Sequence, residues 1–456
     1  MDGRFAGKKV HVIGLGSLGT GRAVARVLSR RGAEVTVSDI KPARELEGEI
    51  AALADTGVTI RAGADAYRGI EEAELVVPSP GVPLDIPPLL RARERGTAVV
   101  SEIEVAYWIA PCPIVAVTGT KGKTTTTALI GELLRSEGKR ALVGGNIGQP
   151  LIGLADRAAA DDLLVAEVSS FQLEATQKFR PRVAVLLNLF PDHLDRHADM
   201  GVYREAKARI FANQEKEDAA VINRDDPEAW ALRTRTRAQI GGYSIEQPDP
   251  EGADLAEGWF RVGGERICPA RALKLRGRHN LGNALAGLAA ARAAGASLKG
   301  AADTLSEFPG VEHRLEVVGT VRGVVFVNDS QATTPEAAIA GLEAFDERVV
   351  LIAGGRPKVH DFRGLGETIA RRGASLVVIG EAAAEIAEAA RQAGAEKVMG
   401  AKDLAEAVRL ARREARPGEV VLLSPACASF DMFANMVERG TKFKELVLEL
   451  AREGGE

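Results

Sequence analysis

PIVAVTGTKGKTTTTALIGELLRSEG, residues 113–138, decides the fold class. Its apolar opening, Ile114 to Val117, has the pattern of a strand buried on both faces. A glycine-bearing turn follows, then a helical stretch that stops at Gly138. Strand, loop and helix in direct succession are half of a βαβ unit, the building block of a parallel, helix-covered sheet. The same loop predicts chemistry. Gly119 and Gly122 let the backbone N–H groups of Thr120 and Lys121 come up to phosphate oxygens. The N-terminus of the following helix, with Thr125 in its first turn, adds its positive dipole. Lys123 is placed to reach the β- and γ-phosphates, and the Thr124 hydroxyl to ligate Mg²⁺. The generic phosphate loop has glycine at the position of Val117, so this one is a variant.

Working downstream, DDLLVAEV (161–168) and PRVAVLLNL (181–189) read as two more buried strands. Glu167 falls at the end of the first, facing the crevice where α/β proteins bind ligands. Asp192, His193 and Asp195 follow the second. Mg²⁺ takes oxygen ligands and keeps several waters, so Thr124, Glu167 and His193 form a candidate metal shell. Taken alone, His193 would be a polar loop residue; its weight comes from following a strand next to the one carrying Glu167.

The flanks repeat the alternation. KKVHVIGLG (8–16) is a strand entering a glycine-rich turn, and TAVVSE near residue 97 is the last strand of that unit. VVFVND (324–329), RVVLIAGG (348–355), SLVVIG (375–380) and EVVLLSPA (419–426) alternate with helical stretches. The expectation is an α/β protein of three domains: a Rossmann-like unit over 1–101, a phosphate-loop mononucleotide-binding unit over 102–310 and a second Rossmann-like unit over 311–456. Residues 247–258 read as a surface loop or hairpin.

Gly14-Leu-Gly16-Ser-Leu-Gly19, with Asp39 twenty residues beyond Gly19, fits a dinucleotide fingerprint. By itself it supports a rival reading, an NAD-dependent dehydrogenase. The geometry holds any diphosphate, however. A net charge of −4 gives no reason to expect nucleic acid or an anionic membrane as partner. Three scattered cysteines, Cys112, Cys268 and Cys427, suit a reducing cytoplasm better than a disulfide scaffold. No signal-peptide pattern precedes the first strand, and no apolar run reaches the roughly 18 residues of a membrane span.

Further motifs carry a resemblance across nearly the whole chain. In order they are TGTKGKTT, GGNIGQP, EVSSFQLE, PDHLDRH, YREAKARIF, GRHNLGNALA, EHRLE, NDSQATTPEA and SPACASFD. The chain resembles the Mur ligases, amide ligases of peptidoglycan precursor assembly, and SPACASFDMF points to the D-glutamate-adding branch. The resemblance implies an ATP-dependent ligase that phosphorylates the carboxylate of UDP-N-acetylmuramoyl-L-alanine. The acyl phosphate is then attacked by D-glutamate, releasing phosphate. It also implies a cytoplasmic monomer with two Mg²⁺ sites.

Residue roles follow from the resemblance in the same way. Lys123, Glu167, His193 and Lys207 would be catalytic. Lys207 would be carbamylated by CO₂ and, with Thr124, Glu167 and His193, would hold metal. That modification requires a neutral amine, so the site must lower a pKa that starts near roughly 10.4. Without the family, Lys207 reads as a solvated helical lysine. Asn280 and Asn283 would lie near adenine, although Asn280 also reads as a helix cap. Arg314 and Asp329 would contact nucleotide from the C-terminal domain. Ser17, Leu18, Asp39, Ser79, Gly81, Asn146, Ser169 and Gln172 would hold the UDP-substrate. Thr333, Lys358, Ser429 and Phe430 would hold D-glutamate. Two positions depart from the family: Gln331 stands where lysine is usual, and Met436 where an aromatic ring is expected. A nucleotide-gated binding module is the non-enzymatic alternative, but it would have no use for the Glu167, His193 and Lys207 set.

Overall fold

The computed structural model describes residues 3–15, 19–192 and 196–453. Ser17, Leu18 and His193 lie outside the described residues. The described chain forms three sheets. It divides into two compact units, one of residues 1–273 with 281–308, the other of residues 274–280 with 309–456.

The first sheet holds β1 (Lys9–Ile13), β2 (Glu34–Asp39), β3 (Thr59–Ala62), β4 (Leu75–Pro78) and β5 (Ala98–Val99). Its order is β3-β2-β1-β4-β5, all parallel. The order reverses beside β1, which opens a crevice at its C-terminal end. The helix Thr20–Arg30 returns over one face and buries Val24, Val27 and Leu28. It comes so close to β1 that a Cβ on Gly21 would overlap the Gly14 carbonyl oxygen. TAVVSE yields only the two-residue β5, because Ser101 already leads into the helix Glu102–Ile109.

That helix is tied to the next sheet through buried carboxylates. Glu104 accepts the backbone N–H groups of Gln177, Lys178 and Phe179 at 2.8–2.9 Å and the Trp108 Nε1–H at 2.7 Å. Glu102 accepts the Ile152 N–H at 2.6 Å, and burial pushes its carboxyl up to about 7.

The central sheet contains β6 (Ile114–Thr118), β7 (Ala141–Gly145), β8 (Leu163–Glu167), β9 (Val183–Leu186) and β10 (Ala219–Asn223). It continues with β11 (Gln239–Ser244), β12 (Ala253–Ala256), β13 (Trp259–Val262) and β14 (Glu265–Pro269). The order is β14-β13-β12-β11-β10-β9-β6-β8-β7. The sheet is parallel from β7 to β12 and ends in an antiparallel meander, so the 247–258 stretch leads into a hairpin. Every residue of β6 and β9 is buried, which accounts for their unbroken apolar runs.

In the second unit β15 (Glu316–Val321), β16 (Val324–Asn328), β17 (Val349–Gly354), β18 (Ser375–Ile379), β19 (Val398–Gly400) and β20 (Val420–Leu423) stand in the order β15-β16-β20-β17-β18-β19. Only the β15–β16 pair is antiparallel. A helical layer covers each face: Leu365, Ile369 and Ile386 pack in one core, Leu404, Val408 and Phe443 in the other.

Candidate active site

Because β6, β8 and β9 are parallel neighbours, their C-terminal ends deliver side chains to one edge of the central sheet. The loop after β6 is held open by Gly119 at φ 151° and Gly122 at φ 84°. At Gly122 a side chain would collide with the Asn283 amide, and at Gly119 a Cβ would stand 2.9 Å from the Leu187 Cβ. The segment just after β9 clamps the loop from the side. Thr120 N–H donates to the Asn188 carbonyl at 3.0 Å and Lys121 N–H to the Asn188 Oδ1 at 2.8 Å. The Lys121 ammonium lies 3.7 Å from Asp192. The helix Lys123–Arg135 starts directly at the loop with Gly122 as its cap. Lys123 Nζ donates to the Gly119 and Thr120 carbonyls, both at 3.0 Å.

Lys207 arrives from the helix Met200–Ala208 and is 1% exposed, so the solvated-lysine reading is overturned. Its Nζ donates to the Gly119 carbonyl at 2.9 Å and sits 4.8 Å from the centre of the Tyr203 ring. Burial, and then the nearby Lys123 charge, hold its amine well below the usual lysine range. Tyr203 fixes this corner further, its hydroxyl 3.0 Å from Thr120 Oγ1.

Glu167 is 2% exposed. Its Oε1 accepts from Asn146 Nδ2 at 2.9 Å, and its Oε2 is buried with no hydrogen-bond partner among the described residues. A buried, unsatisfied carboxylate oxygen is costly unless a cation or water completes it. The donor set therefore fits a hard divalent cation. Among the described residues no group of three His, Cys, Asp or Glu side chains is placed to hold a metal ion.

The first sheet's crevice and the central sheet share a cleft of about 570 Å³. Asp39, Ser79, Gly81, Asn146 and Gln172 line it, together with Lys41 and Tyr67, which sequence reasoning missed. Asp39 does more than face a ligand. One oxygen accepts the Leu15 N–H and the other the Lys41 N–H, both at 3.0 Å, so it fixes the glycine-rich turn. Ser79 Oγ donates to the Gly14 carbonyl at 2.5 Å. Ser169 is not in the lining; with Gln172 it forms the capping box of the helix Ser170–Glu174.

Asn283 Oδ1 accepts from Thr126 Oγ1 at 3.3 Å, beside the phosphate loop. Asn280 is no helix cap. The helix starts at Arg278, and Asn280 in its first turn donates to the Arg276 carbonyl at 2.7 Å.

In the second unit Asp329 is buried, accepting from the Leu315 N–H at 3.2 Å and Ser424 Oγ at 2.7 Å; burial pushes its carboxyl up to about 7. Lys358 Nζ donates to Thr333 Oγ1 at 3.0 Å. Ser429 is 2% exposed, whereas the neighbouring Phe430 ring is 61% exposed. Gln331 Nε2 donates to the Glu312 carbonyl at 3.0 Å, and the Met436 carbonyl accepts from Ser330 Oγ at 2.8 Å.

Three family models match the chain: the MurD-like N-terminal domain over 8–101, the Mur ligase middle domain over 117–291 and the Mur ligase glutamate ligase domain over 313–427. The UDP-N-acetylmuramoylalanine–D-glutamate ligase of Pelotomaculum thermopropionicum is 49% identical over 98% of this chain and 99% of its own length. The protein of the same name from Koribacter versatilis is 43% identical over 98% of both. Among solved structures, the UDP-N-acetylmuramate-alanine ligase MurC of Thermotoga maritima superposes with TM-score 0.63 at 22% identity, covering 97% of this chain and 99% of its own. The MurF ligase of that organism in complex with ADP superposes with TM-score 0.61 at 17% identity, covering 99% and 96%. These two show the same fold.

Proposed function

The chain belongs to the Mur ligase family, and from that premise we propose that it joins D-glutamate to UDP-N-acetylmuramoyl-L-alanine at the expense of ATP. The observation that carries the reading is the convergence at one sheet edge of Lys123, the orphaned Glu167 oxygen and the buried Lys207. A carboxylate is a poor electrophile at neutral pH. The alanine carboxylate attacks the γ-phosphorus of ATP, the bond to the β-phosphate oxygen breaks, and ADP leaves. The free amine of D-glutamate then attacks the acyl phosphate carbon, phosphate departs with the bonding pair, and the nitrogen gives up a proton to solvent. Catalysis in such a transfer is mainly positioning and charge neutralisation.

The chain's residues divide this work. The 119–125 loop presents Lys123 and the start of its helix to the phosphates; the Thr120 and Lys121 N–H groups, expected to reach phosphate, are instead held by Asn188. For that, Lys123 exchanges its two carbonyl acceptors for phosphate oxygens. Mg²⁺, when bound, neutralises triphosphate charge; Thr124, Glu167, His193 and a carbamylated Lys207 would hold it, in two sites. The Lys207 amine is suited to carbamylation because its burial, with the Lys123 charge beside it, favours the neutral form. Asn280, Asn283, Arg314 and Asp329 would serve the rest of the nucleotide. The 570 Å³ cleft would take the UDP-substrate, and Thr333, Lys358, Ser429 and Phe430 the amino acid. This assigns the UDP-substrate to residues 1–101, ATP to 102–310 and amino acid to 311–456. None of the described helices is long and apolar enough to cross a membrane; that the enzyme is a monomer of cytoplasmic precursor synthesis rests on the family alone.

The test supplies ATP, Mg²⁺ and UDP-N-acetylmuramoyl-L-alanine with each of a panel of amino acids. Phosphate release should depend on D-glutamate. ATP turnover indifferent to the amino acid, or NADH oxidation in its place, would sink the reading.

A further inference from the structure

Arg439 is the largest fully buried side chain, with 0% exposure. It projects from the helix Met436–Glu453, and no ion pair neutralises it among the described residues. Burying a guanidinium without a carboxylate is expensive unless its donors are all engaged. Here the acceptors are backbone carbonyls and one hydroxyl. Nε donates to Ser330 Oγ at 3.0 Å, and Nη2 to the Ser330 carbonyl at 2.9 Å and the Cys427 carbonyl at 3.2 Å. Nη1 donates to the Cys427 and Ala428 carbonyls at 3.2 and 3.4 Å. Burial lowers the group only to about 10, so it stays charged at neutral pH.

These acceptors belong to the segments that carry the expected amino-acid pocket. Ser330 precedes Thr333 by three residues, and Cys427 and Ala428 lead directly into Ser429 and Phe430. The third segment is attached through Ala428, whose N–H and carbonyl pair with the Arg356 carbonyl and N–H at 2.9 Å each, two residues before Lys358. Lys358 closes the ring by donating to Thr333 Oγ1. The packing leaves little slack: a Cβ on Gly355 would overlap the Ala428 carbonyl oxygen and stand 3.2 Å from Arg439 Nη1. A helix core needs no arginine for packing. A buried fork that grips three carbonyls on two loops fixes their register, and its positive charge, offset only in part by the nearby Asp431 carboxylate, favours an anion above them.

We propose that Arg439 is the positioning residue of the amino-acid pocket, holding the Ser330, Arg356 and Ala428 segments in one arrangement and biasing that pocket toward an acidic amino acid. This deepens the D-glutamate reading and rests on it. Arg439 does not touch the reacting atoms.

The test compares the wild-type enzyme with Arg439→Lys and Ser330→Ala in steady-state kinetics on all three substrates. Lysine keeps the charge but has a single donor nitrogen and no planar fork. Arg439→Lys should raise the KM for D-glutamate at least tenfold, with the KM values for ATP and UDP-substrate within threefold of wild type. Ser330→Ala, a milder cut of the same grip, should raise the D-glutamate KM twofold to fivefold with kcat nearly unchanged. If wild type needs no D-glutamate, the functional reading itself has failed. If wild type needs it and the D-glutamate KM is unmoved in Ser330→Ala and in whatever Arg439→Lys protein folds, or all three KM values rise together, the positioning role is overturned.

Discussion

Gly122→Ala tests the phosphate loop at its tightest point. Gly122 has φ 84°, a conformation that costs an L-residue about 1–2 kcal/mol. The new methyl would also run into the Asn283 amide oxygen and stand 3.3 Å from Leu187 Cδ1. Asn283 must turn away, giving up the Thr126 hydroxyl it accepts at 3.3 Å and leaving a buried polar group without its partner, at about 1–3 kcal/mol. Together these put roughly 3 kcal/mol against the loop arrangement that ATP binds, or about a hundredfold in affinity. The assay is ATP binding by calorimetry beside the ATP KM. UDP-substrate binding is the internal control, because Gly122 is not in the lining of that cleft. An ATP affinity within threefold of wild type would refute the argument that this glycine is required by both backbone and neighbour. Equal losses for ATP and UDP-substrate would show global damage instead.

Other perturbations have defined signs. Glu104→Gln turns one carboxylate oxygen into a donor facing backbone N–H groups, so denaturation should begin earlier by about 2–4 kcal/mol, while surviving enzyme keeps its substrate KM values; an unchanged melting midpoint would contradict it. Burial, aided by the Arg61 charge, pushes His11, whose ring lies 2.9 Å from Ser38 Oγ, down to about 4 from 6.5. Between those values the unfolded chain holds the extra proton, so stability falls as pH drops through the window, by about 3 kcal/mol in full. His11→Gln should flatten that part of the melting-temperature profile, and profiles parallel to wild type would count against it. Lys207→Ala should lose activity and regain part of it with a short-chain carboxylate supplied in the buffer; absence of any rescue would leave the carbamate without support.

How much was legible in the sequence depended on whether a feature was local. The β6 loop announces itself because strand, glycines, lysine and helix are contiguous, and the strands flanking it are apolar runs buried on both faces. Glu167 could be placed because a strand end is a local fact. Long-range polar ties were not legible. Arg439 and Ser330 are 109 residues apart, and Glu104 reaches N–H groups more than 70 residues away. Most of their acceptors and donors are backbone atoms, which leave no mark on residue type. Gly21 was overlooked for the same reason, since the group it accommodates is a carbonyl across the fold. Asp39 had been assigned to a ligand, and the two N–H groups that hold both its oxygens come from the turns it organises. The helix at 278 was recognised but its start was displaced, because Asn280 satisfies a carbonyl four residues back rather than the N–H groups ahead.

The central sheet explains why two lysines meet at one carbonyl. With β6 between β9 and β8, the loop after β6 has a neighbour on either side, and the helix carrying Lys207 packs against the same edge. Lys123 and Lys207 both donate to the Gly119 oxygen, at 3.0 and 2.9 Å. Two ammonium groups on one acceptor repel, and only one of the pair is deeply buried. Burial first, and then the Lys123 charge, lower the affinity of the more buried amine, Lys207, for its proton. The cost of that arrangement is justified if each lysine later gains an anionic partner: phosphate oxygens for Lys123, and for Lys207 a negative charge of its own as a carbamate. On the proposed function, that crowding would leave both groups ready for the phosphate and the metal.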